Sequence, residues 1–222
     1  IYAGSLVSET LLDDAKPGCE TYNSAKMTLD QVIAVMERMD AVGKMTVRLH
    51  TGDPCLYGAI REQMDRLAAL AIPYDVCPGV SSFCGAAAAL RVEYTLPDVS
   101  QSVVITRMSG RTPVPERESI RSFAAHQTSM VIFLSAGLTK ELQGELLAGG
   151  YKAETPAAIV YKASWPDEKI VRCTVGTLHT TASENGITNH ALIMVGNFLE
   201  SDYALSKLYD PAFTTAFRQG KP

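Results

Sequence analysis

The chain of 222 residues is long enough for one large or two small domains, and 46% hydrophobic with 20% charged residues is typical of a globular protein. A net charge of -4 argues against a general nucleic-acid-binding protein, which needs clustered lysine and arginine. No apolar run approaches the roughly 20 residues that span a bilayer, and no signal peptide is apparent, so we expect neither a membrane nor a nucleic-acid partner.

The cysteines and histidines show no arrangement typical of a disulfide framework or a metal site. The five cysteines are scattered, odd in number and free of any C-x-x-C pair, which favours free thiols in a reducing cytoplasm. The four histidines are far apart, and the spacing typical of zinc ligands is absent. We therefore expect a cytoplasmic protein without a bound metal.

The first half of the chain alternates between short β-type runs and helix-type segments. The pattern predicts strands at Ile1–Val7, Val47–Leu49 and Tyr74–Cys77. Helical segments are predicted after a capping box formed by Thr28 and Gln31, over Ile60–Ala71 and over Phe83–Leu90. Because Ile1 already stands inside an apparent strand, we expect a further segment of the protein to precede it.

The second half repeats this alternation after Val92–Ser100, a segment without a clear period that we interpret as an interdomain linker. Strands are predicted at Ser102–Thr106, Met130–Leu134, Ala157–Lys162, Lys169–Val175 and Ala191–Val195, and helices at Glu116–Gln127, Leu138–Leu147 (with Thr139 as its cap) and Thr177–Glu184. The alternation predicts parallel βαβ units, so we expect an α/β fold of two tandem domains, residues 1–95 and 96–222.

The segment Thr51-Gly52-Asp53-Pro54 is the first of three that are suited to ligand binding. It follows a predicted strand and precedes a helix, at the sheet edge where open α/β folds bind ligands. Glycine permits close backbone approach and aspartate accepts hydrogen bonds, but neither a P-loop nor a G-x-G-x-x-G fingerprint is present. Taken alone, the tetrapeptide is more typical of a plain Asp-Pro turn.

The other two segments also lie beyond predicted strands. Ser81 and Ser82 open an alanine-rich helix whose free N–H groups and hydroxyls can hold a carboxylate. Arg107, Arg111 and Arg117 lie in one loop, and arginine suits bidentate contact with carboxylates, which indicates a small polyanionic ligand. The alternatives are a capped, tightly packed helix and a solvated charged loop.

Together these segments are more specific than any one of them, and the chain resembles the tetrapyrrole methylases, enzymes of the class III methyltransferase fold. The similar segments are Tyr2–Val7, Leu49–Gly58, Pro78–Ser82, Thr95–Pro97, Thr106–Glu116 and Ser206–Asp210. The Thr106–Pro115 loop favours members that methylate a ring carbon of a corrin precursor in cobalamin biosynthesis. The resemblance implies a homodimer of two-domain subunits, with S-adenosylmethionine in the interdomain cleft, a tetrapyrrole substrate and S-adenosylhomocysteine as product.

The resemblance also implies which residues form the site. Arg107, Arg111 and Arg117 are candidates for binding the substrate's acetate and propionate groups, while no side chain stands out as a catalytic base. The family's opening strand and its Gly-x-Gly-Pro-Gly-Asp-Pro loop are not in this chain, which puts activity in doubt if they are truly deleted. The implied cofactor-binding residues are Thr51, Gly52, Asp53, Ser81, Ser82, Leu134, Ala158, Ala191 and Leu192.

Three alternatives stay open. A sister enzyme of the same fold would methylate another ring carbon or uroporphyrinogen III. A nucleotide-dependent oxidoreductase is disfavoured because the glycine fingerprint and the ribose-binding acid are missing. A non-catalytic tetrapyrrole-binding protein would bind the substrate without methyl transfer.

Overall fold

The computed structural model describes residues 1–4, 6–200 and 202–221. The chain forms two compact units, Ile1–Ser82 and Phe83–Pro222. The helices are α1 (Leu29–Asp40), α2 (Arg61–Ala69), α3 (Ser82–Leu90), α4 (Ile120–Ala124), α5 (Thr139–Ala148) and α6 (Leu178–Glu184). The strands are β1 (Val103–Arg107), β2 (Ser129–Phe133), β3 (Pro156–Tyr161), β4 (Lys169–Thr174) and β5 (Ala191–Val195). Single 3₁₀ turns occur between several of these elements.

The first unit is built on α1, which begins at the predicted capping box. The Thr28 hydroxyl accepts a hydrogen bond from the Gln31 N–H at 3.3 Å, and the Gln31 side chain accepts one from the Thr28 N–H at 2.8 Å. These bonds satisfy two backbone donors that a helix start otherwise leaves unpaired. The apolar face of α1 is buried against Leu67 of α2, and it consists of Val32, Ile33 and Met36.

The strands predicted in the first unit are wrong in extent. Tyr2 forms isolated parallel bridges to Asn23 and Leu49, and the extended segment at residues 74–77 joins no ladder among the described residues. The predicted run 1–7 also includes Ser5, which lies outside the described residues. A strand depends on its partners as much as on its own sequence, and Met45 and Val47 are 91% and 63% exposed.

The second unit contains one five-stranded sheet with the order β1-β2-β5-β3-β4. Strands β1 and β2 are parallel, whereas β5 pairs antiparallel with both β2 and β3, and β3 pairs antiparallel with β4. The prediction of parallel units throughout is therefore wrong. The segment 162–168 between β3 and β4 is too short for a parallel crossover, which takes about a dozen residues or more.

Both faces of this sheet are covered. Alternate residues of β3 point to opposite faces, so Ile159 joins the core under α4, α5 and α6, whereas Ala158 and Val160 join the core under α3. Phe198, at 1% exposure, completes the α3 side. The unit is a mixed α/β arrangement in three layers, which fits the α/β class expected from the sequence.

The predicted strands and helices of this unit are confirmed with two corrections. The helix predicted at Glu116–Gln127 is a 3₁₀ turn followed by α4 alone, because the Ser119 hydroxyl caps α4 by accepting the Ser122 N–H at 3.2 Å. Thr139 is not a cap; its hydroxyl is hydrogen-bonded to His179 Nδ1 at 3.0 Å.

The segment predicted as a linker, Val92–Ser100, lies within the second unit. Its Tyr94 and Leu96 side chains are buried against the α3 face of the sheet. The Tyr94 hydroxyl donates to the Phe83 carbonyl at 2.7 Å. The domain boundary between residues 95 and 96 stays a prediction, since the two units are groups of mutual contacts and not domains shown to fold separately.

Candidate functional site

Asp53 is tied to two backbone positions in the first unit. The Cys55 N–H donates to its Oδ1 at 2.8 Å, and the Gly79 N–H donates to its Oδ2 at 3.0 Å. A hydrogen bond from the Cys55 side chain, together with these backbone bonds, holds the pKa of Asp53 below its ordinary value. The residue is therefore a fixed carboxylate that remains ionised at neutral pH.

Two glycines let the turn that contains Asp53 and the turn that contains Gly79 approach each other closely. Gly52 has a φ of +61°, which favours glycine, and a Cβ there would lie 3.2 Å from Ser81 Cα and from Ser82 N. A Cβ on Gly79 would lie 2.2 Å from the Gly52 carbonyl oxygen, which no side chain permits. The structure thus brings together two of the three predicted segments, although 26 residues separate Asp53 from Gly79.

The turns at residues 51–54 and 78–82, together called the double turn, carry three hydroxyl side chains. Thr51, Ser81 and Ser82 make no side-chain hydrogen bond with any residue in the described ranges, and α3 begins at Ser82. Free hydroxyls and the unpaired N–H groups of a helix start can hold the carboxylate and hydroxyl groups of a ligand. The site therefore combines two turns in direct backbone contact with unused polar donors.

Sequence reasoning missed two residues that come just before Thr51 in the chain. Arg48 is half-buried and donates to the Gln63 side chain at 3.2 Å, to the Ile1 carbonyl at 3.2 Å and to the Ser24 hydroxyl at 3.0 Å. His50 Nε2 is buried without a hydrogen-bond partner among the described residues. Burial and the Arg48 charge lower the pKa of His50, so its imidazole is neutral at pH 7.

In the second unit, predicted site residues gather at one edge of the sheet. Arg107 ends β1, Leu134 directly follows β2, and Ala191 begins β5 opposite the last residue of β3. Leu134 has a φ of +52° and is 61% exposed, an unusual combination for a branched apolar residue. Backbone strain of this kind is found preferentially at ligand sites.

Two other predicted cofactor residues lie deeper in the same sheet. Ala158 is fully buried within β3 and paired with Met194, and Leu192 is 6% exposed within β5. Their side chains belong to the core under α3, so only their backbone groups are suited to contact a ligand. Their assignment to the cofactor stays a prediction.

The three arginines predicted to bind substrate differ in what they contact. Arg107 donates to the carbonyl oxygens of its own loop, at 3.1 Å to Met108, 3.2 Å to Thr112 and 3.0 Å to Pro113. Arg111 is exposed and makes no hydrogen bond or ion pair with any described residue. Arg117 is 86% exposed and lies 3.5 Å from a Glu118 carboxylate oxygen.

Ser135 is a third residue that the sequence did not single out. It is fully buried, accepts the Met108 N–H at 2.8 Å and donates to the Phe133 carbonyl at 2.7 Å. It therefore ties the end of β1 to the end of β2. Its place directly after a predicted strand end was the available signal, since small hydroxyl residues bond neighbouring backbone at such positions.

The described residues contain no cluster of three or more His, Cys, Asp or Glu side chains that could hold a metal ion. All five cysteines are unpaired, and only Cys173 is partly buried. None of the helices in the described ranges is long and apolar enough to cross a bilayer.

Comparison with known families and proteins gives a consistent result. The model of the family described as Tetrapyrrole (Corrin/Porphyrin) Methylases matches residues 1–179. The cobalt-precorrin-4 C(11)-methyltransferase of Methanocaldococcus jannaschii is 51% identical over 220 residues, which are 99% of this chain and 85% of that protein.

Solved structures agree in fold. The X-ray structure of a cobalt precorrin-4 methyltransferase superposes with a TM-score of 0.87 at 46% identity, over 90% of this chain and 84% of the other. A uroporphyrin-III C-methyltransferase from Thermus thermophilus, crystallised with S-adenosylhomocysteine, gives a TM-score of 0.70 at 22% identity, over 86% and 82% of the two chains. The latter likeness concerns the fold alone.

Proposed function

Because this chain belongs to the tetrapyrrole methylase family, we propose that it transfers a methyl group from S-adenosylmethionine to carbon 11 of precorrin-4 or cobalt-precorrin-4 in cobalamin biosynthesis. The observation that carries this proposal is the 51% identity to a cobalt-precorrin-4 C(11)-methyltransferase along 99% of the chain. The second product is S-adenosylhomocysteine.

The double turn around Asp53 is the proposed binding site for the cofactor. The residues fit such a molecule, because the hydroxyls of Thr51, Ser81 and Ser82 are unused and belong to two turns whose backbones meet at Gly52 and Gly79. In the second unit, Leu134 would contribute apolar contact and backbone groups of Ala158, Ala191 and Leu192 would contribute hydrogen bonds. Both assignments rest on the family resemblance together with these positions.

The Thr106–Pro115 loop is the proposed recognition element for the tetrapyrrole. Precorrins carry acetate and propionate side chains, and guanidinium groups bind carboxylates through paired hydrogen bonds. Arg111 has no other partner among the described residues and is therefore the best candidate. Arg107 and Arg117 are further candidates, the first engaged by its own loop and the second by Glu118.

The proposed methyl transfer needs few acidic or basic groups from the protein. The bound cofactor supplies an electrophilic methyl group on a sulfonium, and the substrate carbon belongs to an electron-rich, enamine-like system. The chain's residues bind and orient the two molecules and exclude water, which favours an in-line approach. We assign no catalytic base, and Asp53 is not one in this proposal because both its oxygens already accept backbone N–H bonds.

The test is a substrate panel with labelled S-adenosylmethionine. The chain is incubated separately with precorrin-4, cobalt-precorrin-4 and uroporphyrinogen III, and the molecular mass of each product is determined by mass spectrometry. One added methyl group on a precorrin-4 substrate, and none on uroporphyrinogen III, is the expected result. Methylation of uroporphyrinogen III alone would assign the chain to a sister activity, and binding without transfer would make it a tetrapyrrole-binding protein.

Two further parts of the proposal come from the resemblance. The protein acts as a homodimer, and it acts in the cytoplasm. Sedimentation of the full chain at micromolar concentration tests the first, with twice the mass of 23.9 kDa as the expected result. Fractionation of the source cells tests the second.

A further inference from the structure

The arginine loop of the second unit is folded onto one of its own arginines. Arg107 leaves β1 and turns its guanidinium back to the carbonyls of Met108, Thr112 and Pro113. The first of these is beside it, and the other two are five and six positions further along the chain. The Arg107 side chain therefore connects the two ends of the loop 108–113. We call these three hydrogen bonds the strut.

Two hydrogen bonds from backbone N–H groups and a proline also restrict the loop 108–113. The Met108 N–H donates to the buried Ser135 hydroxyl at 2.8 Å, which fixes the start of the loop to the end of β2. The Gly110 N–H donates to the Thr112 carbonyl at 3.3 Å, across the tip. Pro113, with its fixed φ, restricts the returning arm. Arg111 is the residue at the tip, and its side chain is exposed.

We propose that Arg107 is a positioning residue whose strut holds the loop 108–113 in one conformation, so that the Arg111 guanidinium is presented ready to bind a carboxylate of the tetrapyrrole. This inference rests on the proposed function for the identity of the carboxylate ligand. The sequence made Arg107 and Arg111 equal candidates for binding the substrate. In this proposal Arg107 holds the loop and Arg111 binds the carboxylate. Holding the loop in advance lowers the conformational entropy that binding would otherwise remove.

The geometry also explains why arginine is required at position 107. A guanidinium carries five N–H donors in a rigid, planar fork, so two of its nitrogens reach separate carbonyls. A lysine keeps the charge but has a single donor nitrogen, so it cannot occupy both the Nη1 position, which donates to Met108 and Thr112, and the Nη2 position, which donates to Pro113. Arg107→Lys therefore removes the full set of strut hydrogen bonds while it keeps the positive charge.

The experiment compares Arg107→Lys, Arg111→Gln and the double variant with the wild type, and uses Arg121→Lys as the matched control. Arg121 also donates through its guanidinium, to Glu145 at 2.8 Å, but lies on α4 away from the loop. The first readout is the rate of tryptic cleavage after Arg111 in the folded protein, located by mass spectrometry. The second is KM for whichever precorrin-4 form the wild type methylates, with S-adenosylhomocysteine affinity measured alongside.

We expect Arg107→Lys to speed cleavage after Arg111 several-fold and Arg121→Lys to leave it unchanged, since cleavage follows local opening. Arg111→Gln raises KM about tenfold through loss of a charge-assisted hydrogen bond, with S-adenosylhomocysteine affinity unchanged. Arg107→Lys raises KM in the same direction. The double variant has the KM of Arg111→Gln alone, because Arg107 acts only through Arg111.

The opposite results would overturn the inference. Unchanged cleavage in Arg107→Lys shows that no strut exists, and additive KM effects in the double variant show that Arg107 contacts the substrate itself. If Arg107→Lys does not fold, Ser135→Ala loosens the same loop from its other tie and must also speed cleavage after Arg111. The proteolysis needs no substrate, so it decides the strut even if the wild type methylates no precorrin-4, which would instead refute the proposed function.

Discussion

At the scale of single residues, Asp53 is a tie between two turns as well as a candidate cofactor ligand. Its two carboxylate oxygens each accept a backbone N–H, one from its own turn and one from Gly79. Removing the charge therefore loosens the contact between the turns at Gly52 and Gly79, in addition to any direct contact with the cofactor that is lost.

Asp53→Asn is predicted to weaken S-adenosylhomocysteine binding about tenfold, because an amide cannot accept both backbone N–H bonds in the same geometry. Isothermal titration calorimetry measures the affinity. Asp65→Asn is the control, since Asp65 lies exposed on α2 and pairs only with Arg61. Equal affinity in Asp53→Asn and the wild type would refute the role of this carboxylate.

The lowered pKa of Asp53 also predicts a pH dependence. A carboxyl whose pKa is lower in the folded than in the unfolded state stabilises the fold above its unfolded pKa, about 3.9, and this stabilisation is lost as pH falls through the folded pKa. The wild type should therefore exceed Asp53→Asn in free energy of unfolding at pH 5 to 7. Urea titrations at several pH values measure the difference, which should shrink below about pH 4. A difference that grew on acidification would contradict the assignment.

Cys173 is predicted to be the least reactive thiol. Burial raises its pKa to about 11, whereas Cys19, Cys77 and Cys84 are exposed. At pH 8 its thiolate fraction is about two orders of magnitude below that of an ordinary cysteine, and only thiolates react with alkylating agents. Iodoacetamide labelling followed by peptide mass spectrometry should modify Cys173 only after denaturation. Early labelling of Cys173 in the native protein would contradict its burial.

At the scale of elements, the capping box fixes where the main helix of the first unit begins. Thr28→Ala removes the acceptor for the Gln31 N–H and is predicted to lower the free energy of unfolding by about 1 kcal/mol. Urea unfolding measures it. Thr180→Ala, on the exposed side of α6, should change the stability by less than about 0.5 kcal/mol. Equal effects of the two substitutions would show that the cap contributes nothing.

Elements with a strong internal pattern were predictable, and those that depend on partners were not. The buried strand at residues 129–133 is apolar from Met130 onward, and Thr28 with Gln31 carries its signal within four positions. The segments 47–49 and 74–77 have the same composition as a strand but lack a ladder among the described residues. The short segment between β3 and β4 is itself a sequence signal for their antiparallel pairing.

The candidate site was predictable in its residue types but not in its contacts. Glycine, aspartate and serine at strand ends indicate ligand chemistry, yet nothing in the order of residues says that Asp53 reaches Gly79. Likewise, Arg107 and Arg111 are equivalent in the sequence, and only the loop geometry separates the one bonded to carbonyls from the one exposed. Such contacts between distant positions arise from tertiary packing, which a single sequence does not encode locally.

At the scale of the whole molecule, the central claim is methyl transfer to one defined carbon. The family membership covers residues 1–179, and the identity to relatives named as C(11)-methyltransferases extends along nearly all of the chain. That identity along nearly the whole chain is what favours the proposed substrate over other tetrapyrroles.

The most direct test uses S-adenosylmethionine carrying a ¹³C-labelled methyl group with precorrin-4 and with cobalt-precorrin-4, followed by NMR of the purified product. We expect a single new labelled methyl signal that correlates with carbon 11, from at least one of the two substrates, and stoichiometric formation of S-adenosylhomocysteine. A labelled methyl group at any other ring carbon, or no label transferred from a protein that binds both ligands, would contradict the proposed function.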